Sequence, residues 1–131
     1  MTRLHRLEGG AMVRAMPLLK IVSSHSPHPE VQRSVLGTLS KRLAELLGKP
    51  ESYVMTCWAP NAMMTFGGTD EASCFVEVKN IGRLTSEQTN AITRDVCNAL
   101  AGAAGVAPNR TYVEFEDAEP HLWGWNGENF A

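Results

Sequence analysis

Apolar positions along this chain repeat one pattern twice: a short run with strand character, then a long segment with helical spacing. The first run is Leu18 to Ser24, closed by Ser26-Pro27-His28-Pro29. A short apolar stretch bounded by prolines predicts a strand. Val31, Val35, Leu36, Leu39, Leu43, Leu46 and Leu47 then recur three and four apart, while Gln32, Arg33, Lys41, Arg42 and Glu45 mostly fall on the other side. That spacing predicts an amphipathic helix, which Gly48 ends and Pro50 keeps from resuming. Tyr53 to Trp58, rich in aromatic and β-favouring residues, is the next predicted strand.

The second half follows the same order. Ser73 to Lys79 alternates, with Phe75 and Glu77 on one face and Cys74, Val76 and Val78 on the other. Thr85-Ser86-Glu87-Gln88 has the form of a capping box, and Ala91, Ile92, Val96, Ala99, Leu100 and Ala103 make the apolar side of the helix it opens. Gly105 closes that helix, and Pro108 precedes a strand from Tyr112 to Glu116. Both helix exits read Gly, Pro, then Tyr-Val, which suggests an internal duplication. Strands joined through a helix usually lie parallel, so two such units imply an α+β, two-layer fold with a four-stranded mixed sheet and both helices on one face. The other face of the sheet is then either buried against further copies or polar, and the pattern leaves both open.

Composition narrows the function classes. The chain has 131 residues, 44% hydrophobic and 20% charged, which suits one globular domain. Arg3, Arg6 and Arg14 against Glu8 give residues 1–16 a charge of +2, leaving −4 for residues 17–131 out of the net −2. Bases in the main body are scattered, so no nucleic-acid footprint is expected. The first sixteen residues lack the apolar run of a secretory signal, and no stretch approaches membrane-spanning length. A cytoplasmic protein is the simplest expectation, with secretion by a route needing no signal peptide as the other. Cys57, Cys74 and Cys97 show no C-x-x-C spacing and are expected to be small, reduced core residues.

Met16-Pro17, at the head of the first strand, carries the most specific chemistry. Inside a chain a proline nitrogen is a tertiary amide without N–H or useful basicity. Released as an amino terminus, the same nitrogen is a secondary amine that can take a proton. His25 and His28 lie three apart in a Pro-rich turn with no third ligand, so no metal is expected. Gly67-Gly68 is followed by no Gly-Lys-Ser/Thr, and Phe66-Gly67-Gly68-Thr69 fits a turn better than a phosphate loop.

Six islands share one resemblance: Met16-Pro17 before a strand, Gly48-Lys49-Pro50-Glu51-Ser52-Tyr53-Val54-Met55, Met64-Thr65-Phe66-Gly67-Gly68-Thr69, Val76-Glu77-Val78-Lys79-Asn80-Ile81-Gly82, Asn109-Arg110-Thr111-Tyr112-Val113-Glu114-Phe115, and Trp123-Gly124-Trp125-Asn126-Gly127 with terminal Phe130-Ala131. Together they resemble the macrophage migration inhibitory factor family of the tautomerase superfamily, its bacterial members above all. The resemblance covers residues 16–131 as a single domain. It leaves residues 1–15 as an extension, expected to be flexible or non-native, and Met16 stands where the family begins.

The resemblance implies a homotrimer with inward-facing sheets, an active site at each subunit boundary, and no cofactor. It implies keto-enol exchange of phenylpyruvate-like or dopachrome-like compounds. The base would be Pro17, once residues 1–16 are absent. Lys49 and the backbone at Ile81 would hold the substrate acid and carbonyl, and Tyr112 would donate a hydrogen bond from a neighbouring subunit. Phe130 and Trp125, more than Trp123, would wall an aromatic substrate, with Leu18 adding apolar lining. Glu114 departs from the mammalian asparagine: close to the pocket it would repel an anionic substrate and favour protonated proline, and pointing into solvent it would matter little. The mammalian C-x-x-C is absent, Ser73 and Val76 standing at the matching places, so no thiol-disulfide oxidoreductase activity is expected. The competing class is a non-enzymatic binding protein or cytokine mimic, whose partner would be a host receptor.

Overall fold

The computed structural model describes residues 17–131. The extension expected for residues 1–15 lies outside them. Strand β1 (Leu18–Ser23) leads through a turn to helix α1 (Pro29–Leu47), a 3₁₀ turn (Glu51–Tyr53) and strand β2 (Met55–Ala59). Strand β3 (Cys74–Ile81), helix α2 (Ser86–Ala104), a 3₁₀ turn (Pro108–Arg110) and strand β4 (Thr111–Ala118) repeat the unit. The sheet order is β2-β1-β3-β4, parallel within each unit and antiparallel where β1 meets β3. The expected four-stranded mixed sheet is therefore what forms.

Both helices cover one face. Leu19 and Ile21 from β1 and Val76 and Val78 from β3 pack under Leu39, Leu43 and Leu47 of α1 and Ile92, Val96 and Leu100 of α2. Each such buried aliphatic side chain contributes about 2 kcal/mol relative to exposure. The capping box of α2 is complete: Gln88 N–H donates to Thr85 Oγ1 (3.1 Å) and Thr85 N–H donates to Gln88 Oε1 (2.9 Å). Helix α1 ends in a Schellman arrangement, with Lys49 N–H donating to Ala44 O (2.9 Å), Gly48 N–H donating to Glu45 O (3.3 Å), and Gly48 left-handed at φ 65°.

The duplication is a constant shift of 57 residues. It carries Pro29–Leu47 onto Ser86–Ala104, Glu51–Tyr53 onto Pro108–Arg110, and the pair Leu18↔Met55 onto the pair Phe75↔Tyr112. The repeated Tyr-Val is consequently out of structural step, because Tyr112 corresponds to Met55 and Tyr53 to Arg110.

Three local expectations change. The strand predicted from Tyr53 starts at Met55, because Tyr53 N–H donates to Pro50 O (3.2 Å) and Val54 N–H to Glu51 O (2.9 Å), closing a turn. Val31 is 41% exposed, since the residues of α1 that the sheet buries begin only at Leu39. A hairpin of β5 (Gly124–Trp125) and β6 (Glu128–Asn129) appears where none was predicted. Its turn is Asn126-Gly127, at φ 54° and 90°, the left-handed pair that two-residue hairpins favour.

The uncovered face of the sheet is neither wholly apolar nor wholly polar. The register lines up Met55, Leu18, Lys79 and Glu116 in one row, Cys57, Lys20, Glu77 and Glu114 in the next, and Ala59, Val22, Phe75 and Tyr112 in the third. Cys57 is exposed there, so of the three cysteines only Cys74 is fully buried and Cys97 partly so. Burial pushes both of those thiols up from their ordinary values. No helix among the described residues is long and apolar enough to cross a membrane.

Candidate functional site

Pro17 is fully buried at the head of β1, and its carbonyl accepts from Met55 N–H (3.0 Å). That bond ties Pro17 to the start of β2, and so to the helix exit that carries Lys49. Lys49 is half-buried, and its backbone N–H is what closes the end of α1. On the other side of β1, Leu18 pairs with Lys79 of β3, so the register sets Pro17 opposite Asn80 and diagonal to Ile81. Leu18 itself is half-buried on the face away from the helices. One end of the sheet thus collects Pro17, Leu18, Lys49 and Ile81 from three segments.

The carboxy-terminal hairpin adds an aromatic group to that end. Phe130 is 3% exposed and packs on Ile81 together with Tyr53 and Trp123. Its N–H donates to both Pro120 O and Trp123 O at 3.2 Å, which fixes the tail onto its own chain. Trp125 is 39% exposed, stacks on Phe130 (6.3 Å between centroids, 12° between planes) and meets Tyr53 edge-on (5.6 Å, 81°). Offset and edge-on rings at these separations hold each other in place and leave an amphipathic surface. Tyr53 was not singled out by the sequence as a site residue. Its signal was available in its position four residues past Lys49, inside the same island.

Tyr112 and Glu114 lie elsewhere. Tyr112 pairs with Phe75, which pairs with Val22, five residues along β1 from Pro17 and two strands across. At strand spacings that is about 19 Å, so Tyr112 cannot reach Pro17 of its own chain. It is 62% exposed and tilts against Phe66 (4.9 Å). A cavity of about 300 Å³ lies beside it, lined by Met64, Thr65, Phe66, Ser73, Cys74 and Phe75 among others. Glu114 is exposed in the row with Glu77 and Lys20, and Lys79 Nζ lies 3.6 Å from Glu77 Oε1.

Arg110, also missed, builds that far end. Its guanidinium donates to Ala72 O (2.9 Å), Phe66 O (3.1 Å), Thr69 O (3.3 Å) and Glu71 O (3.0 Å), and sits 5.2 Å from the Phe66 ring centre. It clamps the turn Phe66-Gly67-Gly68-Thr69, where both glycines have positive φ and Phe66 and Thr69 exchange backbone bonds. His25 and His28 are occupied locally: Ser24 Oγ lies 3.0 Å from His25 Nδ1, and His28 Nδ1 accepts from Glu30 N–H at the start of α1. Among the described residues no group of three or more His, Cys, Asp or Glu side chains could hold a metal.

The arrangement sets a half-buried lysine, a buried proline and an aromatic surface at one end of the sheet, with a phenol at the other. Comparison with known proteins places the sequence and the fold. The sequence model of macrophage migration inhibitory factor (MIF) matches residues 16–131. The chain is 30% identical to macrophage migration inhibitory factor of Mus musculus over 116 residues, 88% of this chain and 100% of that protein. Its fold matches the macrophage migration inhibitory factor homologue of Prochlorococcus marinus with a TM-score of 0.82 at 43% identity, over 87% of this chain and 99% of the other. The protein of the same name from Toxoplasma gondii matches with a TM-score of 0.82 at 31% identity, over 86% and 99% of the two chains. The chain belongs to the macrophage migration inhibitory factor family of the tautomerase superfamily.

Proposed function

We propose that a chain beginning at Pro17 is a cofactor-independent keto-enol tautomerase of phenylpyruvate-like 2-oxo acids, assembled as a trimer. The observation that carries this reading is the place of Pro17: the sheet end where Lys49, Ile81 and the Tyr53-Trp125-Phe130 group converge. As an amino terminus Pro17 has a lone pair that can take the proton from the carbon next to the substrate carbonyl. The C–H electrons form the carbon–carbon double bond of the enol, the carbonyl oxygen takes the charge, and Pro17 returns the proton to that oxygen. Burial and the nearby Lys49 cation both disfavour protonated proline, which keeps the amine a base near neutral pH.

Lys49 would pair with the substrate carboxylate, the Ile81 backbone would bond its oxygens, and Trp125, Phe130, Tyr53 and Leu18 would face its apolar tail. Tyr112 serves this reading only from a second copy, because its own Pro17 is about 19 Å away. Glu114, two positions further along the same strand and on the same face, would come with it and bring negative charge towards an anionic substrate. That charge would lower activity or change the substrate preferred.

The test compares three proteins on enol-phenylpyruvate, followed by ultraviolet absorbance: a chain starting at Pro17, the 131-residue chain, and Pro17→Gly in the shorter chain. The short chain is expected to exceed the other two by about 10²–10⁴, the range for a positioned general base. Equal rates in the short chain and its Pro17→Gly variant would sink the proposal. In the 131-residue chain Pro17 is an amide, and that form fits the second reading, a non-enzymatic binding protein. The intact mass of protein made from its native gene separates the two.

A further inference from the structure

Asn80 is the counterpart of Ser23 under the 57-residue shift, and Cys74 is the counterpart of Pro17. The register pairs Ser23 with Cys74, and the same register one step beyond Leu18↔Lys79 pairs Pro17 with Asn80. All four residues are buried on the helix-covered side of the sheet. The Ser23 end is fully bonded: Ser23 Oγ donates to the carbonyl two residues on, His25 O, and accepts from Cys74 Sγ at 3.2 Å. Asn80 reproduces the first half of this. Its Nδ2 is aimed at the carbonyl two residues on, Gly82 O, 3.5 Å away and at the long limit of a hydrogen bond. Its Oδ1, in a residue 2% exposed, has no hydrogen-bond partner among the described residues.

The missing half is the donor from the position opposite. At the Ser23 end Cys74 supplies an S–H. At the Asn80 end the residue opposite is a proline, which has no hydrogen on nitrogen while it is amide-bonded to Met16. A chain beginning at Pro17 gains one N–H as the free amine and two as the protonated amine. We infer that Asn80 Oδ1 accepts a hydrogen bond from the Pro17 amine, and that Asn80 is a positioning residue for the base. A buried carbonyl oxygen without a partner costs stability, so amine and amide each supply what the other lacks.

This inference rests on the reading of Pro17 as a base, and adds an effect opposed to that of Lys49. Lys49 disfavours the protonated amine, while an acceptor aimed at it favours that form. Asn80 thereby keeps the amine basic enough to hold the proton it removes, and points the remaining lone pair away from the sheet. The other titratable groups around this end are Asp117, which the register sets beside Asn80 on β4 and whose carboxylate also favours the protonated amine, Tyr53, Glu51 in the exposed turn before it, and Arg83 beyond Gly82. Lys79 and Lys20 lie on the opposite face of the sheet.

Residues 17–131 contain every described element, and residues of this chain match the whole length of the mouse relative without needing those before Met16. The chain starting at Pro17 can therefore carry the test. Its proline nitrogen is labelled with ¹⁵N and titrated by NMR, which needs no activity. The pH dependence of kcat/KM on enol-phenylpyruvate is measured alongside. Asn80→Leu is expected to lower the amine pKa by about one unit, the size one charge-assisted hydrogen bond allows, and to move the rising limb of the rate profile to lower pH. Asn80→Asp should move both the other way and keep the side-chain shape should the leucine variant not fold. An unchanged amine pKa in Asn80→Leu, or in Asn80→Asp if only that variant folds, overturns the inference. A labelled amine that follows these shifts in a protein whose Pro17→Gly variant is equally fast would instead remove the tautomerase reading and leave the hydrogen bond standing.

Discussion

Tyr53 and Arg110 occupy one structural place in the two halves, the last residue of the 3₁₀ turn after each helix, and their side chains do opposite things. Arg110 spends its donors on four carbonyls of its own chain and fixes a loop. Tyr53 presents a ring to Trp125 at the Pro17 end and closes no loop. Because β1 and β3 are antiparallel, the duplicated exits fall at opposite ends of one sheet. The scaffold therefore makes two similar ends. One is completed internally by Arg110, and the other by the carboxy-terminal hairpin, with chemistry left over. A duplicated fold teaches here that equivalence of backbone does not extend to equivalence of use: the residue closing the turn anchors a loop at one end and packs on an aromatic neighbour at the other.

The largest test of that contrast is Lys49→Ala in the chain starting at Pro17. Loss of a cation facing a carboxylate is expected to lower kcat/KM on enol-phenylpyruvate about 30-fold or more, with Lys49→Arg recovering part of it. Removing the neighbouring positive charge raises the proline amine pKa, so the rising limb of the rate profile should move to higher pH. A limb that stays in place would separate Lys49 from Pro17. At the opposite end, Arg110→Ala should cost about 2 kcal/mol of folding stability in urea, since charge-assisted bonds to partly buried carbonyls are lost. Tyr53→Ala should cost less stability and raise KM instead. Equal stability losses with no KM change in Tyr53→Ala would erase the distinction between the ends.

A third experiment asks whether the ends meet in the assembly. Pro17→Gly chains retain Tyr112, and Tyr112→Ala chains retain Pro17. Coexpressed, with mixed assemblies verified by native mass spectrometry, they form some sites with both residues intact. If losing the Tyr112 hydroxyl costs about tenfold, the mixture should run about fivefold above the mean of the two parents. Activity equal to that mean in verified mixed assemblies would exclude a shared site.

The sheet, both helices and their stops were legible because each rests on local chemistry: Leu39, Leu43 and Leu47 at helical spacing, the Thr85-Gln88 box, and Gly48 and Gly105 at left-handed stops. Alternation along β3 gave the correct buried face. The hairpin signal Asn126-Gly127 was present but short, flanked by two-residue strands too brief for periodicity to show. The roles of Arg110 and Asn80 were not legible, because they depend on loops and strands far away in sequence. Arg110 reaches back to Phe66 through Ala72, and Asn80 matters through the residue opposite it across β1 and β3. The resemblance put Pro17, Lys49 and Ile81 together before any register was known, and the register sets Tyr112 at the opposite end of the sheet from Pro17 of its own chain.

The smallest predicted difference concerns how the two equivalent helices begin. Helix α2 has both halves of a capping box, with bonds of 3.1 and 2.9 Å between Thr85 and Gln88. Helix α1 has His28 Nδ1 accepting from Glu30 N–H at 3.4 Å, near the limit of a useful bond. Its exposed first turns also leave less packing to hold the start in place, Val31 being open to solvent. Thr85→Ala should therefore lower folding stability by about 1 kcal/mol, the usual loss of a good cap. His28→Ala should cost only a few tenths of that, because a long bond and an overhanging turn contribute little. Amide hydrogen exchange gives the same contrast residue by residue: protection should fall at Glu87, Gln88 and Thr89 in the first variant and change little at Val31 and Gln32 in the second. A loss at His28 as large as that at Thr85 would mean that the start of α1 is held by its cap after all, and the two units would then be more alike than their hydrogen bonds indicate.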